Sequence, residues 1–114
     1  MTEVNFKEQY IYCNQHNNTL EIRNMVKHFF ELKKDVDYSI LSFIFNTMLF
    51  YDNISVFKDL VLYAIENNIK STNIIHSNIT IWGKINFKQF LHHERSSMLK
   101  LNNNIQSFLD DLQD

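Results

Sequence analysis

The chain has 114 residues and a formal net charge of -2, a length that suits one domain with one core and is too short for two. Hydrophobic residues make up 45% of the chain and charged residues 21%, which predicts a folded core and argues against intrinsic disorder. Because the net charge is slightly negative, no global positive field exists to hold a nucleic-acid backbone, so nucleic acid is disfavoured as a partner.

The chain has one glycine, no proline and one cysteine, so the residue types that favour turns or form disulfides are scarce. Tight hairpin turns lack their preferred residues, which disfavours an all-β fold. A single glycine also excludes glycine-rich phosphate loops, dinucleotide fingerprints and nucleophile elbows, and we expect no cofactor. Cys13 has no partner for an intrachain disulfide, and the sequence has no thiol cluster for zinc, which is typical of a reducing compartment.

Neither the first ten residues nor the most apolar stretch of the chain indicates export or a membrane span. Residues 1–10 carry Glu3, Lys7 and Glu8 where a signal peptide would have a basic end followed by an apolar run. The most apolar stretch, residues 38–51, is interrupted by polar side chains and is shorter than the ~20 residues of a bilayer span. We expect a soluble chain in the cytoplasm.

The first two helices are predicted from apolar spacing. Residues 5–15 carry Phe6, Tyr10 and Cys13 at helical intervals, before a polar run. Asn18, followed three residues later by Glu21, then resembles a capping box that opens a second helix. The apolar stripe of this second helix comprises Ile22, Met25, Val26, Phe29 and Leu32.

Two further helices follow in the middle of the chain. Asp37 is a natural N-cap for a helix over residues 38–51, which has hardly any polar face and is expected to be the central, most buried element. Apolar residues then repeat every three or four positions over residues 56–65, and Asn67 and Asn68 can end that helix.

The C-terminal part of the chain is ambiguous at first and then helical. Residues 79–82 are rich in strand formers and precede the only glycine, so they form either a short extended segment or the broken end of a helix. Asn86 with Gln89 predicts another capped helix that runs on to residue 101, and residues 102–104 separate it from a last one. The whole sequence, 1–114, predicts one all-α domain, a compact bundle of five or six short helices.

One string of residues resembles a catalytic signature. Arg23-Asn24-Met25-Val26-Lys27-His28 resembles the Arg-Asn-x-x-x-His motif of HEPN domains, small all-α proteins that include metal-independent ribonucleases. The resemblance implies that Arg23 and His28 act on a scissile phosphate, usually across a dimer interface. A fixed cation can stabilise phosphorane charge, and an imidazole can transfer protons near neutral pH. The alternative is that both residues merely flank the apolar stripe of the second helix.

The string His92-His93-Glu94 offers three adjacent metal-ligating side chains. Neighbouring residues on a helix point about 100° apart and cannot all converge on one ion, so we predict no metal site there. The alternative is a polar helix face with one histidine partly packed. Cys13, late in its helix and beside an apolar stripe, is expected to be buried and inert.

Two features suggest contact with another protein. Trp82 is either an exposed anchor for a partner or part of the core, because tryptophan is enriched at both kinds of position. Asp110 and Asp111 gather negative charge where the helix dipole disfavours it. They form either an acidic surface for a basic partner or a frayed, solvated terminus.

The leading hypothesis is a non-catalytic protein-binding protein, most concretely an immunity-type inhibitor that neutralises a partner toxin by direct binding. It rests on small size, helical character, mild acidity, the lack of a convincing catalytic set and an Asn-, Ile- and Lys-rich composition. That composition suggests an AT-rich genome, such as those of some mobile elements, low-GC bacteria or large DNA viruses. Glu94, Asp110 and Asp111 would steer a basic toxin or nuclease, and aromatic residues such as Trp82 would anchor it. The alternatives are the HEPN-like ribonuclease and a viral or bacterial adaptor that binds a host protein.

Overall fold

A computed structural model of the chain describes the backbone of residues 3–76, 79–98 and 102–112, and the side chains of residues 5–72, 83–98 and 102–112. These ranges contain six α-helices, one turn of 3-10 helix and a three-stranded sheet. The predicted bundle of short helices with an extended segment near residue 80 is confirmed.

The elements follow one another with short connections. In chain order they are α1 (Glu3–Gln15), α2 (Thr19–Leu32), β1 (Asp35–Asp37), α3 (Tyr38–Phe50), α4 (Ile54–Glu66), β2 (Lys70–His76), β3 (Ile79–Asn86), α5 (Phe87–Glu94) and α6 (Asn103–Asp111). The helix expected to run from Asn86 to residue 101 is shorter than predicted, because α5 gives way to the 3-10 turn Arg95–Ser97. The predicted separator at 102–104 is also shorter, since only Asn102 precedes α6 as its cap.

Four helices begin at a polar residue whose side chain accepts a hydrogen bond from the first helical turn. Asn18 accepts from the Glu21 amide, and Asp37 accepts from the Ser39 amide at 2.9 Å. Asn86 forms a complete capping box in which its side chain and that of Gln89 each accept from the other's backbone amide. These caps satisfy amides that the helix itself leaves without partners, and the starts predicted at Asn18, Asp37 and Asn86 are confirmed.

Three helices end on a non-glycine residue in the left-handed conformation. Asn17, Asp52 and Asn68 have φ values of 54°, 60° and 57° and follow α1, α3 and α4. In each case the next amide donates to the carbonyl five residues back, as from Asn53 to Met48 at 2.8 Å. This is the Schellman arrangement, which usually uses glycine. With one glycine in the chain, asparagine and aspartate take that position because their short polar side chains tolerate it best.

The sheet has β2 in the centre, parallel to β1 and antiparallel to β3. The β2–β3 register is interrupted by a bulge: Thr72 pairs with Lys84 and Ile74 pairs with Ile81, so two residues of β3 lie opposite one of β2. One of the two is Gly83, whose φ of 155° is rarely adopted by other residues. Residues 79–82 are therefore part of a strand.

The core is one continuous cluster centred on α3. Five α3 side chains are fully buried: Leu41, Ile44, Phe45, Met48 and Leu49. The Phe45 ring lies 5.8 Å from that of Phe57 on α4 and 5.0 Å from that of Phe87 on α5, so one aromatic residue joins three helices. Among the described residues, no helix is long and apolar enough to cross a bilayer.

Candidate functional site

A buried carboxylate joins α5 to the polar stripe of α3. Glu94, at the end of α5, is only 3% exposed and accepts hydrogen bonds from three α3 side chains one helical turn apart. The Tyr38 hydroxyl donates to one carboxylate oxygen; the Ser42 hydroxyl (2.5 Å) and the Asn46 amide (2.9 Å) donate to the other. The i, i+4 and i+8 spacing of the three donors places them on one face of α3.

The hydrogen bonds from Tyr38, Ser42 and Asn46 to Glu94, which we call the Glu94 network, hold α5 against α3. Burial, together with the hydrogen bond to Glu94 and its charge, raises the pKa of Tyr38 above its ordinary value, so the phenol keeps its proton and remains a donor. Both Glu94 oxygens are occupied inside the protein. Glu94 therefore does not belong to the acidic surface proposed from the sequence; its three donors lie far away along the chain, and no local pattern indicates them.

A shallow groove between α1 and α3 exposes aromatic side chains. The α1–α3 groove has a volume of ≈ 270 Å³, which is below the ~300–1,000 Å³ range of small-molecule pockets. It is lined by Ile11, Phe43, Asn46, Thr47, Phe50 and Tyr51. The Phe50 ring is edge-on to that of Tyr51 at 4.8 Å, yet Phe50 is 50% exposed. Phe50 belongs to the helix that is predicted to be the most buried, but it is the last residue of that helix and is exposed.

The walls of the α1–α3 groove are fixed by polar contacts. The Gln15 amide donates to the Tyr51 hydroxyl at 3.3 Å and ties the end of α1 to the end of α3. The Lys7 ammonium lies 5.2 Å from the centre of the Phe43 ring, a cation–π distance. Asn46 lines the groove and also donates to Glu94. The Glu94 network thus holds one wall of the groove in place.

Cys13 lies beside a second exposed aromatic residue. The thiol is buried, 3.9 Å from the Met25 sulfur, and burial followed by the charge of Glu21 raises its pKa. A raised pKa lowers the thiolate fraction, which is the reactive form. The predicted burial of Cys13 is confirmed. Next to it on α1, Tyr12 is 62% exposed and packs on His16 with ring centres 4.2 Å apart.

The two predicted acidic residues of α6 are exposed. Asp110 forms an ion pair with Arg95, with 2.6 Å between Oδ1 and Nη1, and Arg95 also donates to the Gln106 carbonyl at 3.4 Å. Arg95 therefore supplies the basic neighbour that a negative side chain needs at the C-terminal end of a helix. Asp111 is exposed beside it.

The string His92-His93-Glu94 diverges, as expected for adjacent helical residues. His92 is exposed, His93 is partly buried and Glu94 points into the protein. Among the residues with described side chains, no group of three metal-ligating residues lies close enough to hold an ion.

Arg23 and His28 both lie on α2, five positions apart, which corresponds to about 140° around the helix axis. The Arg23 guanidinium forms an ion pair with Asp59 of α4 at 2.7 Å, and His28 is exposed. In the described part of the chain, Arg23 thus joins two helices and makes no contact with His28.

Trp82 lies in β3, beside Gly83 in the bulge. Its side chain, and with it the prediction of a partner anchor or a core residue, lies outside the described residues. The backbone does place β3 at one edge of the described sheet, with β2 on its inner side. An edge strand presents amides and carbonyls that another strand can pair with.

Comparison with protein-family models, curated proteins and solved structures gives no significant match for this chain. The resemblance of Arg23 and His28 to the HEPN signature therefore rests on the six residues of that string alone.

Proposed function

We propose that this chain is a non-catalytic protein-binding protein that acts in the cytoplasm, most concretely an immunity-type inhibitor that neutralises a toxin by covering its active surface. The observation that carries the proposal is the α1–α3 groove, in which the exposed Phe50 lies beside the half-buried Tyr51 and Phe43. Large apolar side chains that stay in water in a folded domain mark binding surfaces more often than structural ones when they cluster.

The α1–α3 groove has the composition of an interface core. Phenylalanine and tyrosine supply large contact areas with few rotatable bonds, and such residues dominate the energetics of protein interfaces. Phe50 is exposed, and the other apolar and aromatic lining residues, Ile11, Phe43 and Tyr51, are half-buried. Because Gln15 and Asn46 hold this surface in place, a partner would lose little entropy in ordering it.

The acidic residues of α6 supply the negative charge that would attract a basic partner. Asp110 and Asp111 are exposed on one helix, and a basic toxin or nuclease would be drawn towards them before the aromatic contact forms. Arg95 offsets part of the charge on Asp110, so Asp111 makes the larger contribution to steering.

The test is affinity capture from a lysate of the native source with the tagged full chain, read by mass spectrometry. The unmodified protein is compared with Phe50→Ala and with a matched control, Leu32→Ala, which removes an exposed apolar side chain outside the groove. We expect one stoichiometric basic protein with the unmodified chain and with Leu32→Ala. We expect Phe50→Ala to weaken its binding about 30-fold, the effect of losing about 2 kcal/mol at an interface anchor.

Two outcomes would contradict the proposal. Equal capture by both variants would place the interface elsewhere than the α1–α3 groove. Recovery of RNA alone, with RNA cleavage that Arg23→Ala and His28→Ala abolish, would support the ribonuclease instead. Salt titration separates the electrostatic from the aromatic contribution to binding, because steering by Asp111 weakens with added salt and the aromatic contact does not.

A further inference from the structure

The hairpin formed by β2 and β3 is longer than the strand that pairs with it. β1 pairs only with residues 70–72 of β2, whereas β2 and β3 pair with each other as far as His76 and Ile79. Within the part of the chain that the structure describes, no third strand pairs with residues 73–76 or with the outer side of β3. A hairpin of two strands alone is at best marginally stable in water. The outer half of this hairpin would therefore gain stability from another strand beside it.

The hydrogen bonds of the sheet show which backbone groups of β3 face outward. The Lys70 amide donates to the Lys34 carbonyl at 2.8 Å, so the backbone groups of Lys70 face β1. Successive residues of a strand turn these groups to opposite sides, so Ser71 faces β3 and exchanges hydrogen bonds with its register partner Ile85. Lys84, next to Ile85, therefore turns its amide and carbonyl away from β2.

The same alternation applies on the other side of the bulge. Ile75 lies four residues after Ser71 on β2, so it also faces β3, where its register partner is Thr80. Ile79 and Ile81, on either side of Thr80, therefore turn their amides and carbonyls outward. β3 thus presents hydrogen-bond donors and acceptors both before and after the bulge, along an edge with no described strand beside it.

Two common protections of an edge strand are missing from β3. Proline and unpaired charged side chains keep edge strands apart, and the chain has no proline. The one charged residue of β3, Lys84, forms an ion pair with Asp35 of β1, on the far side of β2. Two β3 strands can therefore lie side by side without placing uncompensated like charges opposite each other.

We propose that two copies of this chain pair through their β3 strands, antiparallel about a two-fold axis. The three strands of each copy then form one continuous sheet in the order β1-β2-β3-β3-β2-β1. A two-fold contact needs a surface that complements itself, and an edge strand does so because each outward residue offers one donor and one acceptor. The net charge of -2 per chain adds little repulsion between copies. The contact uses none of the residues that line the α1–α3 groove, so it does not rest on the proposed function.

The test is size-exclusion chromatography of the full chain with light scattering, over a wide range of protein concentrations. We expect the mass to rise from that of one chain to that of two as the concentration increases. Ile81→Pro removes an outward amide that does not pair with β2, and we expect it to weaken the dimer at least about tenfold. The matched control is Asn103→Pro, at the first position of α6, where proline is tolerated, and we expect it to dimerise normally.

A second measurement needs no variant. Amide exchange of the unmodified chain is followed by NMR at concentrations above and below the dimer transition. We expect the amides of Ile81 and Lys84 to be protected in the dimer and to exchange rapidly after dilution. The amides of Thr80 and Ile85, which donate within the hairpin, are expected to stay protected at both concentrations.

Three results would overturn the proposal: the mass of a single chain at every concentration, a dimer that folded Ile81→Pro leaves unchanged, or a dimer that does not protect the outward amides. Circular dichroism checks folding, and the exchange measurement decides if Ile81→Pro is unfolded. Phe50→Ala is expected to dimerise normally. Loss of capture with a retained dimer therefore concerns the α1–α3 groove alone, and a monomer that still captures its partner refutes only the β3 contact.

Discussion

Buried polar side chains in this protein are joined to one another, with one exception among the described residues. Asn53 donates to the Asn14 side chain at 2.9 Å, and Asn14 donates to the Tyr10 carbonyl, which links α1 to the start of α4. The Ser71 hydroxyl on β2 is fully buried and has no hydrogen-bond partner among the residues that the structure describes. A hydroxyl that gives up water without gaining a hydrogen bond costs free energy.

We therefore predict that Ser71→Ala stabilises the protein by about 1 kcal/mol, since it removes the unsatisfied hydroxyl and leaves little empty space. The matched control is Ser42→Ala, which deletes a hydroxyl that donates to buried Glu94 and is expected to destabilise the protein by roughly 1–2 kcal/mol. Urea unfolding of both variants measures the difference. A loss of stability in Ser71→Ala would show that the hydroxyl has a partner in solution.

At the scale of the elements, Asn17, Asp52 and Asn68 occupy the left-handed position at a helix end that glycine usually occupies. At position 68, which has a φ of 57°, we predict that Asn68→Ala destabilises the protein by about 1 kcal/mol and that Asn68→Gly is neutral or stabilising. The control is Asn24→Ala, inside α2, which is expected to stabilise the protein because alanine is the better helix former. Thermal unfolding compares them, and equal effects of alanine at 68 and 24 would refute the role of the left-handed end.

Helices could be predicted from the sequence because their signals are local. Asn18, Asp37 and Asn86 each lie at a visible capping position before an apolar periodicity, and each begins a helix. The sheet could not be predicted in the same way. β1 has three residues, and the pairing of Asp35 with Lys70 joins positions far apart in the chain. Only residues 79–82, rich in strand formers, gave a local sign of β3.

The candidate site was only partly predictable, for a similar reason. Exposure of Asp110 and Asp111 follows from a polar helix face near the end of the sequence. The burial of Glu94 depends on three donors from α3, more than 40 positions earlier, and the aromatic groove depends on how α1 crosses α3. Such surfaces arise from packing between helices, which periodicity within a single helix does not determine.

At the scale of the whole molecule, the α1–α3 groove lies on the helix that forms the centre of the core, within extents of 34 × 33 × 26 Å. The α1–α3 groove is aromatic and is linked to Glu94 through Asn46. Phe45, which contacts both α4 and α5, lies on the same helix as the groove residues Phe43 and Phe50. Because Phe50 is exposed, the groove can be altered there without changing that core.

The most direct test of the central claim is hydrogen–deuterium exchange of the full chain, alone and bound to the basic protein that it captures. We predict that binding slows exchange at the end of α1 and at the end of α3, around Gln15 and Phe50, and leaves the start of α5 unchanged. Protection confined to β3, around Trp82, or to α5 and α6 would contradict the claim that the α1–α3 groove is the protein-binding surface.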